Sequence, residues 1–470
     1  MASDRTETRL EPTAWRRLWP FALVAVVTVV GYAVQHGRYY IHFMDDAWVM
    51  SWAYNLVNNG TDADTVFRDG TYTIVFGKAL QFIYGSFLEV AGWSRVNALR
   101  MSTAFVWLSA GLWYGVAREL RWTRERALIL AFSMVMLDKI VEAGCLCRAE
   151  AMVLAWIGAA LFAFARGRYL LAGILATAGA ETHPMAITAC FYILAWTLAH
   201  PQRYLADKRR TAKDVGWFVL GCSIGVGWYA ALHWEELASG ELVRVLKGSA
   251  SFAAGKRKEW TYLDRHFKWH SKYELLIFVF AAFAWLQQRL WRDNAFPMLA
   301  VVCVVISAFL NKRPNGFYAA LAFPAFAVMA VHAFGRAKIA RAAFVLLLLS
   351  FVYQAHGRYT KYPEYVPGAS VPTLQKLVPD DGLPVVGMND FWFAFPDRPF
   401  MPGDYDSNIA ARLDSKEWRK VYLIDSSFRS NRYVFSRIKS HLRRNFDAEE
   451  IGSFDEHGKH KLTVIRYTRR

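Results

Sequence analysis

The sequence predicts an α-helical polytopic membrane protein of about eleven transmembrane helices, with amphipathic helices in its first outer loop and a small C-terminal α/β outer domain. Three observations predict it. Hydrophobic residues make up 55% of the 470 residues and charged residues only 20%, outside the usual balance of a soluble protein. The mean hydropathy of +0.14 is too low for a chain that is membrane throughout, so a sizeable polar portion accompanies the spans. The net charge of +17 comes as short basic blocks between apolar runs. That is the pattern of cytoplasmic loops; a nucleic-acid binder would gather its cations on one face or stripe. An aromatic content of 16% excludes disorder.

A span needs roughly 20 predominantly apolar residues. The first runs from about Trp19 to Gln35, behind Arg16 and Arg17, and is read as uncleaved because no small-residue cleavage site follows. Further spans fall at about 98–117, 127–142, 149–165, 169–182, 184–199, 215–233, 273–289, 295–310, 315–333 and 340–356. The apolar segment 72–92 is interrupted by Lys78 and Glu89 and reads as an interfacial or re-entrant helix. With the N-terminus cytoplasmic, the cytoplasmic segments hold 20 Lys and Arg residues, Arg118–Arg126 and His200–Asp214 among them. The short outer loops hold only Arg148, Lys312 and Arg313. This asymmetry sets the orientation.

Three polar portions then lie outside: the loop 37–97, the loop 234–272, and a tail after residue 356. The expected division is a membrane domain over 1–356 and a soluble domain over 357–470. In the tail, strand-like runs (Pro384–Met388, Val421–Ile424, Leu462–Ile465) alternate with a helical stretch near Tyr433–Arg444, the pattern of a small α/β domain. Its core is marginal alone, so it is expected to lean on the membrane part. The five cysteines, Cys145, Cys147, Cys190, Cys222 and Cys303, read as packed side chains. Cys145 and Cys147 are too close for an ordinary disulfide and lack the further ligands of a zinc site.

The sharpest motif is His42-Phe-Met-Asp45-Asp46-Ala-Trp48, just after the first span. Paired carboxylates beside a membrane are costly unless they reach water or carry out chemistry. The residues that follow read as a helix with one Asp at its N-cap and Gly60 at its end, which explains one carboxylate and leaves the other. Along the chain come Leu99-Arg100, then Cys147-Arg148-Ala-Glu150, then Glu181-Thr-His183-Pro184. Last comes Lys312-Arg313-Pro-Asn-Gly-Phe-Tyr318, followed by Pro324.

In their order and spacing over residues 19–356 these motifs resemble the GT-C superfamily of integral-membrane glycosyltransferases. Protein mannosyltransferases, the aminoarabinose transferases that modify lipid A, and cell-wall arabinosyltransferases share the pattern. The resemblance implies a polyprenyl-phosphate-linked sugar donor and an acceptor hydroxyl on a glycan, lipid or protein. It places the site and the tail on the periplasmic side of a bacterial inner membrane, among membrane lipids and without nucleic acid. Asp45 is the implied general base, with Asp46 second. Lys312, Arg313, Arg148 and the Lys256-Arg257-Lys258 cluster are candidates for the donor phosphate, for which cations and bidentate arginines are suited.

Each further candidate has a plainer alternative. Glu150 is an active-site acid or simply the partner of Arg148. His183 joins the site or packs at a kink, and Tyr318 binds donor or anchors at the interface. Lys256, Arg257 and Lys258 meet donor or anionic headgroups. Asp62-Ala-Asp64 imitates an Asp-x-Asp metal motif but also suits a solvated turn. Relatives differ in metal use, so a divalent ion is left open as a cofactor. A transporter or lipid flippase, or a non-catalytic binder of lipid-linked sugar, is the competing reading. Transporters place acids near the midplane in repeated halves, whereas here the acids gather at one face and no repeat is visible.

Overall fold

Apolar runs fold into helices in the expected order. The computed structural model describes residues 12–39, 44–61, 76–204, 206–244, 247, 260–269, 271–311, 315–334, 338–403, 409–415, 418–427, 432–456 and 460–470. Helix α1 (Pro12–Gln35) leads into α2 (Met44–Asn58) and α3 (Lys78–Ala91), the two helices of the first outer loop. Past the end of α2, Gly60 takes a left-handed φ of 62°, a conformation costly for other residues. Helix α4 (Arg95–Glu119) is capped by Ser94, whose hydroxyl accepts from the Asn97 amide at 3.2 Å. Thr123 caps α5 (Arg124–Met136) in the same way, accepting from the Arg126 amide at 3.3 Å.

The run expected as one span over 127–142 is broken. Leu137 turns extended (φ −67°, ψ 132°), and a separate helix, α6 (Asp138–Gly144), begins after it. It meets α7 (Ala149–Ala165) at a bend of 112°. The reason lies in Asp138, Lys139 and Glu142, which a continuous span would carry through hydrocarbon at a cost of several kcal/mol, about 3 per charge. The break gathers them inside the protein instead. The Glu274 carboxylate accepts from the Asp138 amide (2.8 Å), one of the open N–H groups at the start of α6.

The chain continues through α8 (Tyr169–Thr182), a 3-10 turn over Pro184–Ile187, α9 (Thr188–Ala199), α10 (Pro201–Tyr204) and α11 (Lys208–Leu232). In the second outer loop lie α12 (Trp234–Ala238) and α13 (Tyr262–Trp269), before α14 (Lys272–Gln287) and α15 (Phe296–Leu310). A 3-10 turn over Gly316–Leu321 precedes α16 (Phe323–Phe334), and α17 (Lys338–Lys361) runs five residues beyond the expected end of the membrane part. Judged singly by length and apolarity, two described helical stretches can cross a membrane, Lys208–Leu232 and Gly316–Phe334; the bent α6–α7 pair is a third if taken as one span. Trp19–Gln35, Pro184–Ala199 and Phe296–Leu310 are apolar but shorter.

Helix α11 is largely exposed, as a lipid-facing helix is, and packs on α8 through small residues. A Cβ on Gly173 would meet the Phe218 carbonyl at 2.3 Å, and one on Gly221 the Leu170 carbonyl at 2.1 Å. In lipid, where apolar burial drives no association, close backbone approach of this kind holds helices together.

The tail forms a five-stranded sheet in the order β2-β1-β3-β5-β4. Strand β1 (Val385–Gly387) is parallel to β2 (Phe400–Pro402) and to β3 (Lys420–Ser426), while β5 (His460–Arg469) is antiparallel to β3 and to the edge strand β4 (Phe446–Glu456). β1, β3, β5 and the helix over Arg432–Asn445 fall on the expected runs. β2 and β4 were not expected; β4 is mostly exposed and polar, so it lacks the apolar signature of a buried strand. One face of the sheet packs with the helix Arg432–Asn445. The other shares a core with α2, α3 and α4, where Val385, Trp392, Tyr422 and Val464 join Met50, Tyr84 and Leu99. The C-terminal sheet thus leans on the helical part, as expected of a marginal core.

Gly221→Val should lower the thermal midpoint of detergent-purified protein by several degrees, because the added side chain collides with backbone that cannot swing aside. Gly227→Ala, with no atom within 4 Å of its Cβ position, should leave the midpoint unchanged in the same melting assay.

Candidate active site

Between the helical part and the C-terminal sheet lies a buried ionic knot. Asp46, in the first turn of α2, is fully buried. One of its oxygens accepts from Arg95 Nε and pairs with Nη2, both at 2.8 Å; the other accepts from the Cys147 amide at 2.7 Å. Arg95 also donates to the Tyr365 hydroxyl at 2.6 Å and lies 3.9 Å from Asp390. Five separate stretches of chain therefore meet at one carboxylate–guanidinium pair. Burial pushes the Asp46 carboxyl above its usual range, while Arg95 and the Cys147 amide draw it back.

Asp46 is inside the helix and not at its cap, since α2 begins at Met44. The arginine of the knot is Arg95; Arg100, the residue singled out from sequence, is exposed and donates to Asn97 at 3.1 Å. Nothing in the sequence marks Arg95 over Arg100. The Asp45 side chain lies outside the described residues, as do Lys312, Arg313, Lys256, Arg257, Lys258, Asp62 and Asp64.

A second group follows from the α6–α7 bend. Arg148 pairs with Glu150 at 2.8 Å, and its guanidinium lies 4.2 Å from the centre of the Phe317 ring. Lys139, buried and paired with Glu142, lies 5.5 Å from the same ring. On the next residue, Tyr318 is buried, and so not an exposed interfacial anchor; its hydroxyl is 3.4 Å from His183 Nε2. His183 Nδ1 accepts from the Met185 amide at 3.2 Å, so this residue both caps the 3-10 turn and faces Tyr318. The structure thus brings Arg148, Glu150, His183 and Tyr318 together around the Gly316–Leu321 turn.

Beside them lies a cluster that sequence reasoning passed over. Glu274 receives the Asp138 amide, His266 Nε2 is 3.2 Å from Glu274, and Arg358 pairs with Asp138 at 3.0 Å. Burial first, and Lys139 second, hold the His266 imidazole down at about 3. The available signal was three ionisable residues inside an apparent span. Glu274 and Leu137 also line a small apolar cavity of about 40 Å³ between α5, α14, α16 and α17, with Ile277, Phe278 and Phe344 on its walls.

Glu181, quoted in the sequence only as a neighbour of His183, has its own position. It accepts from the Gly77 and Ala79 amides at the start of α3 (3.1 and 3.3 Å) and lies 3.1 Å from His233 Nε2. Lys78 pairs with Glu236 at 2.8 Å. Among the described residues, no group of three His, Cys, Asp or Glu is arranged to hold a metal ion. All five cysteines are free, and burial pushes the Cys145 thiol up to about 12.

Neither a protein-family model nor a curated protein sequence matches the chain. Among solved structures it is similar to ArnT from Cupriavidus metallidurans in the apo state, with a TM-score of 0.60 and 13% identity over 96% of this chain and 98% of that one. It is also similar to ArnT from the same organism bound to undecaprenyl phosphate, with a TM-score of 0.58 and 14% identity over the same shares. At this identity the likeness is one of fold. The helical membrane-type fold with a small C-terminal sheet, implied by the sequence resemblance, is the fold found.

Arg95→Leu strands the buried Asp46 carboxylate and should cost about 3–5 kcal/mol. The expected sign is rapid maleimide labelling of Cys147, which is buried beside the knot in the wild type. Acid has a separate effect. His36 is 2.7 Å from Thr103, and burial with Arg100 holds its imidazole down at about 4. A histidine depressed in the folded state keeps its contribution above its unfolded value near 6.5 and loses it as pH falls, by roughly 3 kcal/mol at pH 4. In a pH series of melting curves, His36→Asn should lose less stability between pH 7 and pH 4 than the wild type.

Proposed function

We propose that the protein is a GT-C-type glycosyltransferase that moves a sugar from a polyprenyl-phosphate donor to an acceptor hydroxyl, with inversion, on the periplasmic face of a bacterial inner membrane. The observation that carries this reading is the meeting of two unlike surfaces. An apolar cavity has Leu137 and Glu274 in its lining; two residues beyond Leu137, Lys139 lies 5.5 Å from the Phe317 ring, which Arg148 approaches to 4.2 Å with Glu150 beside it. A prenyl-phosphate sugar has the same two halves, a hydrocarbon chain and an anionic head. The fold likeness to ArnT, one of whose structures holds undecaprenyl phosphate, supports the same substrate class.

In this reading Asp45 takes the proton from the acceptor hydroxyl as its oxygen attacks the anomeric carbon. The donor phosphate leaves with its electron pair, and cations stabilise the charge that grows on it. Arg148 meets that phosphate together with Lys312, Arg313 and the Lys256–Lys258 cluster. Glu150 holds the Arg148 guanidinium in place, and His183 with Tyr318 lines the wall beside it. Asp46 is a poor base because both its oxygens are occupied. Its role is to anchor the first turn of α2, which also carries Asp45. In this reading the basic loops are cytoplasmic, about eleven segments cross the membrane, and the site lies outside with residues 357–470 as a periplasmic domain above it. The acceptor is a glycan, lipid or protein hydroxyl.

Asp45→Asn should reduce transfer from a lipid-linked sugar donor by about 100-fold or more in reconstituted membranes, with undecaprenyl phosphate binding retained. Undiminished transfer by the folded variant would sink the mechanism.

A further inference from the structure

The break between α5 and α7 buries a charge pair that the steps above do not use. Lys139 and Glu142, one turn apart in the seven-residue α6, are 2% and 1% exposed as side chains. A buried ion pair rarely adds net stability, since desolvating two charges costs about as much as their attraction returns. Apolar residues at both positions would let α5 continue as an unbroken span. The chain instead interrupts a membrane helix to place an ammonium group at this point, and an ionisable group at membrane depth points to function.

Its surroundings give the chemistry. Lys139 follows Leu137 by two residues, and Leu137 lines the apolar cavity. Its Nζ lies 5.5 Å from the centre of the Phe317 ring that Arg148 approaches to 4.2 Å. Two cations, each backed by its own glutamate, thus share one aromatic ring two residues from the lining of an apolar cavity.

We propose that Lys139 is a second donor-binding cation: it takes the prenyl-linked phosphate opposite Arg148, and the phosphate replaces Glu142 as its partner. Glu142 is the resting counter-ion that keeps the ammonium group in place between turnovers. This rests on the polyprenyl-phosphate reading above and adds to it the residue that marks where the prenyl chain ends and the head begins.

The test separates the two. Lys139→Met alone leaves Glu142 as a buried lone charge and can misfold, so the informative variant is Lys139→Met with Glu142→Gln, which removes both charges. Full-length protein in nanodiscs is titrated with undecaprenyl phosphate carrying no sugar, and transfer is then measured against donor concentration. The double variant should melt within a few degrees of the wild type, bind undecaprenyl phosphate at least tenfold more weakly, and raise the donor KM by a similar factor with a smaller effect on kcat. Lys139→Arg should recover most of the binding. Wild-type binding with an unchanged double variant overturns the role of Lys139 and leaves the donor class standing. No binding of undecaprenyl phosphate by the wild type overturns both.

Discussion

The Arg95–Asp46 pair is the constraint around which the joint between the helical part and the C-terminal sheet is arranged. A guanidinium and a carboxylate without water must satisfy each other and still place their remaining donors and acceptors. Here that obligation draws in Cys147 from the turn before α7, Tyr365 from the segment after α17, and Asp390 from the tail. The apolar core beneath follows the same joints, with residues of α2, α3 and α4 packed directly against those of the sheet. The C-terminal sheet is therefore a wall of the same structure, and its position is set by charge satisfaction as much as by apolar area.

The same economy of charge explains the bend after α5. Helix continuity is the cheapest way to pass a membrane because every backbone group is satisfied internally. Interrupting it at Leu137 opens amides, and Glu274 accepts the one from Asp138. The interruption places Asp138, Lys139 and Glu142 against Arg358, Glu274 and His266, a polar nucleus beside the apolar cavity. Helices that carry no such burden behave differently. Helix α11 has a basic start capped by Asp207 and an otherwise apolar body, and it approaches α8 closely at Gly173, Gly221 and Gly225.

Much of this was legible in the residues. The apolar runs, the amphipathic character of residues 78–91 and three of the five strands are local patterns, and local patterns are what periodicity reports. The motif residues Arg148, Glu150, His183 and Tyr318 do converge, because each sits at or next to the end of a helical element near the Gly316–Leu321 turn. Less legible were features that depend on a partner distant in sequence. Arg95 differs from Arg100 only in which face of α4 it occupies relative to α2. Glu181 looked like a neighbour of His183 and proved to hold the start of α3. Strand β4 is polar because it is an edge strand, and its identity comes from pairing with β5.

Composition and hydropathy alone determined that this is a helical membrane protein with a polar tail. This follows from transfer free energies, which are sums over residues. Tertiary structure alone decided which carboxylate is anchored and which cation meets it. It also decided that the span expected over residues 127–142 is two helices. Those outcomes turn on the satisfaction of a few buried charges by atoms a hundred or more residues away, such as the Cys147 amide on Asp46 and Glu274 on Asp138. No window of sequence contains both partners.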